Sequence, residues 1–312
     1  MFNTRRSFLQ SAALAAGVTG STVAVPGQTS SQPAQPATKP FPASPTQVPK
    51  MKFGKAEISR LVCGCNQFYG YAHFNQILGA AMKEYYTQER VADVLHQCNR
   101  YGINALNYFP APRAQADLEC FQAQGGKMNL ICQGLEDPAP MVKAIKPLAV
   151  YFHGERTDRA FQEGRMDEVK EWCKKLRDMG TMVGVGTHKP EVIALVEEQN
   201  WDVDFYAGCV YNRSRTKEEW QTVLNGELVE MQGECYLQKD PARMYKVMRS
   251  TKKPCFAFKI MAAGRAANAE QAFRTAYESI KPIDGVFIGM FPRFKDEVKE
   301  NAERVHRLLK KA

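Results

Sequence analysis

Much of what bounds this 312-residue chain is what it lacks. It has only five histidines and three tryptophans, and no two cysteine pairs with the spacing of a zinc site. No apolar run reaches the length of about 20 residues that a bilayer span requires. Blocks of one charge are missing too: 42 basic and 33 acidic residues are interspersed, which argues against a nucleic-acid footprint. The nine cysteines are an odd number, and Cys63, Cys65, Cys132, Cys209 and Cys255 sit in apolar, strand-like runs. That pattern reads as buried thiols rather than a disulfide framework. Cys63-Gly64-Cys65 puts two sulfurs on one strand face, but no matching pair completes a soft-metal site.

The N-terminus sets the expected compartment. Thr4-Arg5-Arg6-Ser7-Phe8-Leu9-Gln10 resembles a twin-arginine export motif, and a weakly apolar Ala/Gly-rich stretch follows from Ser11 to Val25. Residues 1–25 are therefore read as a twin-arginine signal peptide, without a stable membrane anchor. Residues 26–50, rich in Pro, Ser, Gln and Ala, are read as a disordered linker. These imply a partner in the twin-arginine export machinery and a periplasmic or secreted location. The four basic residues of this leader, Arg5, Arg6, Lys39 and Lys50, have no acidic counterpart there. Without them the net charge falls from +9 to +5.

Residues 51–312 form the expected folded domain, a length suited to one (β/α)8 barrel of roughly 250 residues. A short hairpin, Met51–Phe53 and Ala56–Ile58, flanks Gly54-Lys55. Eight strand candidates follow: Leu61–Asn66, Asn104–Tyr108, Asn129–Gln133, Leu148–His153, Met182–Thr187, Val203–Cys209, Cys255–Lys259 and Gly285–Gly289. Their continuous apolar runs suit parallel strands buried on both faces. An amphipathic helix pattern follows each, the clearest starting at Thr87 as N-cap. Gly102 and Gly180 stand where helices stop just before the next strand. The longest loops, Gln67 to Tyr86 and Val210 to Lys239, fall on the face where barrels carry their chemistry.

The motif order resembles the aldo/keto reductase superfamily over nearly all of this domain. Ile58-Ser59-Arg60-Leu61, Tyr101-Gly102-Ile103-Asn104, Gly184-Val185-Gly186, Val210-Tyr211-Asn212 and Glu300-Asn301 follow the family order. The resemblance implies a TIM barrel with a carbonyl-reducing Asp, Tyr, Lys and His and a nicotinamide cofactor. At those positions this chain has Asn107, Pro112, Gln133 and His153. Neutral amides cannot lower a tyrosine pKa or relay its proton. The Ser-Asn pair that holds the nicotinamide amide aligns with Gly186-Thr187, and the sixth-strand Gln aligns with Gly208. Phe258, Glu300 and Asn301 are the cofactor contacts the resemblance would retain, with Arg293 or Lys295 in place of the usual basic residues. NAD(P) is thus disfavoured while the barrel is favoured.

Strand ends converge in a barrel, so Asn66, Asn107, Gln133, His153, His188 and Lys259 are expected to ring its mouth, with Glu155 above. His153, His188 and Lys259 are the candidate catalytic residues, acting by proton transfer or electrostatic stabilisation. Lys259 closes an apolar strand, where desolvation lowers an amine pKa. Asn66, Tyr69, His73, Asn107, Gln133 and Tyr211 are the candidate substrate contacts, with the aromatic loop around His73 offering stacking faces to a sugar ring. A divalent metal on His153, His188 and Glu155 is a second reading of the same residues, with His73 or Asp137 as further donors. Glu227, Glu230 and Glu234 read as solvated carboxylates. The expected function is an exported, non-reductase barrel enzyme acting on a small sugar-like or hydroxycarbonyl substrate. A nicotinamide-dependent oxidoreductase and a non-catalytic binding protein are the alternatives.

Overall fold

Alternation along each strand decides which side chains enter the barrel. The computed structural model describes residues 41–226 and 233–310. A hairpin, β1 (Lys50–Phe53) and β2 (Ala56–Ser59), precedes eight parallel strands. These are β3 (Leu61–Gly64), β4 (Ala105–Tyr108), β5 (Asn129–Gly134), β6 (Ala149–Phe152), β7 (Met182–Thr187), β8 (Phe205–Cys209), β9 (Cys255–Phe258) and β10 (Gly285–Gly289). They close in sequence order, β10 pairing back onto β3, with helices between successive strands. The expected TIM barrel with an N-terminal hairpin is what the chain forms.

Two apolar clusters follow from period-two alternation. Val62, Ala105, Ile131, Ala149, Tyr151, Phe205, Ala207, Phe256 and Phe287 fill the lumen. Their neighbours Leu61, Leu106, Leu130, Val150, Val183, Ala257 and Val286 face the helices. The hairpin plugs the lower end: Phe53 is fully buried, its ring 5.2 Å from those of Phe205 and Phe256, both edge-on. Burying such a ring stabilises the fold by roughly 1.5–3 kcal/mol. The same alternation, continued two residues beyond Ala105, Ile131 and Tyr151, turns Asn107, Gln133 and His153 inward at the opposite end.

Local signals agree with the sequence at most boundaries. The Thr87 side chain accepts from the amide of Arg90, and Gly102 and Gly180 take left-handed φ values of 75° and 78°. The two long loops differ from expectation, because each contains a helix. Asn75 caps Gln76–Tyr85, and Thr216 with Glu219 forms a capping box ahead of Lys217–Val223. The stretch assigned to a linker gives way earlier than residue 50. The amides of Ser44 and Val48 bond the carbonyls of Arg100 and Tyr101, and Val48 is buried. The signal peptide, the linker up to residue 40, and Glu227 and Glu230 lie outside the described residues. The five strand cysteines are buried and free, as read. The Cys65 sulfur accepts from the amide of Phe109.

Candidate functional site

A cavity of roughly 350 Å³ opens at the C-terminal end of the strands. Asn66, His73, Asn107, Gln133, His153, Glu155, His188, Phe258 and Lys259 all line it, so the ring expected from the strand ends is assembled. Glu300 and Asn301 line its far arm. Tyr69 and Tyr211 do not belong to it. Tyr69 turns away under Arg113, packed on Phe68, and Tyr211 packs edge-on against Tyr236. Both leave the mouth because the helical turn Asn66–Tyr69 and the loop after β8 redirect their side chains.

His188 directly follows β7 and is 3 % exposed. Its Nδ1 lies 2.6 Å from Oδ2 of Asp158, a residue the sequence reading did not single out as a site residue. Asp158 sits one turn into the helix Gly154–Gln162, which starts where β6 ends. It also accepts from the His188 amide, the Thr187 hydroxyl and the Ser214 hydroxyl. Burial works to raise the Asp158 pKa, but these hydrogen bonds outweigh it and hold the carboxyl below its ordinary value. With Nδ1 donating to Asp158, Nε2 of His188 is left as the acceptor of the ring, on the side of Arg213. Gly154 makes room: a Cβ there would lie 3.2 Å from Cε1 of His188.

A polar chain continues from His188 across the mouth. Arg213 Nη1 is 3.4 Å from Nε2 of His188, and Arg213 pairs with Glu234. Glu234 accepts from Nδ1 of His73 at 2.7 Å, and His73 Nε2 is 3.4 Å from the Asn66 amide. Burial opposes the charge on Glu234, yet His73, Tyr236 and Lys259 together hold its pKa down to about 2. Glu234 is therefore a bridge between two loops and not the solvated carboxylate expected. Arg265 fastens the same loops, donating to the His73 carbonyl and stacking on Phe74 and Tyr236.

Lys259 stands at φ 60°, a left-handed conformation that a non-glycine residue rarely adopts. Burial, then repulsion from Arg213, lowers its pKa to about 8. Among the described residues its ammonium makes no hydrogen bond or ion pair. His153 is also pushed down by burial, which keeps it neutral, and its Nδ1 is buried without a partner. Asn107 accepts from the Tyr151 hydroxyl at 3.0 Å, leaving its amide nitrogen as a donor.

The donor set does not suit a metal. Asp158 occupies one nitrogen of His188, Arg213 faces the other, and Glu155 is 3.5 Å from Arg213. Among the described residues no group of three His, Cys, Asp or Glu is placed to hold an ion. Asp137, the further donor considered, caps Ala139 from an exposed position. The nicotinamide end fits no better. A Cβ at Gly186 would meet the Phe152 carbonyl at 2.7 Å and the Tyr151 ring at 2.8 Å. At Gly208 it would meet Met248 at 2.4 Å. The amide-binding side chains of the reductase pattern are thus absent and their space is filled. At the other end, Glu300 pairs with Lys295, and Asn301 accepts from Arg304.

Asp158, Arg213 and Ser214 are the polar residues of the site that sequence reasoning missed. One signal was available for Asp158: the helix it belongs to starts at the barrel mouth, so an acid one turn in faces back toward that mouth. Arg213 and Ser214 had no comparable signal, since a loop residue's direction depends on tertiary packing.

No protein-family model matches the sequence, and no curated protein matches it either. Solved structures are similar to this chain at low identity. A glycerol dehydrogenase from Gluconobacter oxydans is 11 % identical, with a TM-score of 0.44, covering 82 % of this chain and 94 % of its own. Gox0644 in its apo form is 8 % identical, with a TM-score of 0.46, covering 84 % and 93 %. An N-acetylneuraminic acid synthetase from Leptospira borgpetersenii is 8 % identical, with a TM-score of 0.44, covering 86 % and 90 %.

Proposed function

We propose that this chain is a barrel enzyme that moves a proton next to a carbonyl in a small hydroxycarbonyl substrate, without a nicotinamide or a metal. The observation carrying this reading is the buried Asp158–His188 pair in the wall of the cavity that Lys259 also lines, with Arg213 as the group near Nε2. Asp158 fixes the ring and its tautomer and stabilises the imidazolium that forms, as the carboxylate of a catalytic triad does. His188 takes the proton from the carbon beside the carbonyl. The electron pair of that bond moves onto the carbonyl oxygen, where the Lys259 ammonium meets the developing charge. Return of the proton from His188 to the neighbouring carbon, while the hydroxyl proton passes to the former carbonyl oxygen beside Lys259, gives the isomer, so nothing is oxidised or reduced overall. Asn66, Asn107, Gln133 and neutral His153 supply hydrogen bonds to the hydroxyl groups. The twin-arginine-like leader makes this an exported enzyme, working in the periplasm or outside the cell.

The test is exchange of substrate carbon-bound hydrogen with deuterated water, followed by NMR over a panel of hydroxycarbonyl compounds. Exchange at the carbon beside the carbonyl, lost in His188→Gln, supports the reading; a full panel without exchange overturns it. A nicotinamide-dependent oxidoreductase has one observation in its favour, the cavity arm that runs to Glu300, Asn301 and Arg304. Quenching of protein fluorescence by NADPH at micromolar concentration would move the assignment to it.

A further inference from the structure

Buried polar atoms are normally paired, and the exceptions call for an explanation. Among the described residues, three such exceptions belong to side chains lining the one cavity at the barrel mouth: Gln67 Oε1, His153 Nδ1 and Arg213 Nε. Two of the three are donors or potential donors, and all three are shut off behind the cavity wall. Beside them the Lys259 ammonium, largely buried, has no direct partner. An unpaired charge in low dielectric is costly unless a counter-charge meets it.

The charges around this point come from every neighbouring element. Arg213 and Glu234 come from the loop after β8 and Glu155 from the first turn of the helix after β6, while the thiol of Cys209 on β8, pushed up to about 12 by burial, is neutral. Glu234 is already committed to Arg213, His73 and Tyr236. Glu155 is more than half exposed and 3.5 Å from Arg213. Arg213 is 9 % exposed and lines the cavity, with Glu234, among the described residues, as its one close acid. The near side of the cavity thus holds two cations, of which Arg213 shares its close acid with His73 and Tyr236 and Lys259 has none in contact among the described residues.

We infer that Arg213 and Lys259 form an oxyanion subsite, so that the substrate is an acidic hydroxycarbonyl, a sugar acid or a short hydroxy-oxo acid, and not a neutral sugar. This rests on the proposed proton-transfer function for the word substrate, but not for the binding itself. Arg213 takes the anionic group through its planar donor edge. Lys259 lies between that group and the reacting carbonyl oxygen and serves both. A carboxylate and a phosphate share this chemistry, and the 350 Å³ cavity admits a six-carbon ligand carrying either.

Calorimetry on the purified protein distinguishes them, using glucuronate, glucose and glucose 6-phosphate as probes. Glucuronate or glucose 6-phosphate is expected to bind at least about tenfold more tightly than glucose, the tighter of the two naming the anion. Because Lys259 titrates near pH 8, affinity for the anion is expected to fall about tenfold between pH 7 and pH 9. Lys259→Met should abolish that pH dependence, and Arg213→Gln should weaken binding while leaving the pH dependence in place. Arg213→Lys should restore part of the affinity, and melting curves of all three variants show whether each is folded. Glucose binding as tightly as both anions overturns the proposal, as does anion affinity unchanged in folded Arg213→Gln and Lys259→Met. Anion binding without any proton exchange would leave the subsite standing and sink only the catalytic reading. Exchange confined to neutral sugars would do the reverse.

Discussion

Replacing Lys259 by Met should make the ligand-free protein more stable, and the gain can be worked out in advance. The lysine pKa falls from 10.5 in the unfolded chain to about 8 in the fold. At about 1.4 kcal/mol per pH unit, keeping the ammonium charged in its buried position costs about 3 kcal/mol at pH 7. The sign follows from linkage. A group whose folded pKa is depressed contributes full stability only above its unfolded pKa, near 10.5, and loses it as pH falls through about 8. Wild type is therefore penalised at neutral pH, and the methionine variant is not. Met preserves the length and apolar stem of lysine and meets the same φ of 60°, so the backbone strain is common to both. Urea unfolding at pH 7 should place Lys259→Met about 3 kcal/mol above wild type. At pH 9.5 the difference should shrink to about 1.4 kcal/mol, since the folded lysine is by then mostly neutral. Equal or lower stability of the variant at pH 7 would refute the premise that this amine is stored in the fold at a cost. A difference that does not shrink with pH would refute the electrostatic cause.

Asp158→Ala should destabilise the fold by about 3–5 kcal/mol in denaturant titration, because it strands four donors around a removed buried charge. His188→Gln should keep the melting temperature within a few degrees while lowering the proposed exchange rate by 10²–10⁴-fold, on the order of what a general base contributes. Arg215 and Asp240 form an ion pair 2 % and 1 % exposed, so Arg215→Met should cost about 3–5 kcal/mol in urea unfolding. Acid titration monitored by circular dichroism should show stability declining below about pH 4, as Asp158, held below its ordinary pKa, is forced to take up a proton and lose its donors.

The fold was legible because it rests on local rules. Strands buried on both faces must read as continuous apolar runs, and β7 and β10 match the sequence expectation at both ends. Their position at strand ends likewise put Asn107, Gln133 and His153 at the mouth of the barrel, where they line the cavity. The capping box at Thr216 and Glu219 was also visible in principle, yet length alone led to that segment being read as loop. Tyr69 and Tyr211 stay outside the cavity because they lie beyond the strands, in a helical turn and a loop, where packing on Phe68 and Tyr236 sets their direction.

By itself, then, the sequence determined the barrel, the end at which the site lies, and the strand-borne side chains that enter it, because backbone geometry alone fixes where a strand residue points. Tertiary structure decided what those residues mean. It brought Asp158 to His188 across 30 positions and Glu234 to His73 across 161. These contacts turn one histidine into an oriented base and the other into part of a bridge. It also withdrew Lys259 from water beside Arg213, and the charge state of a side chain depends on such neighbours and on solvent, neither of which is written in local sequence.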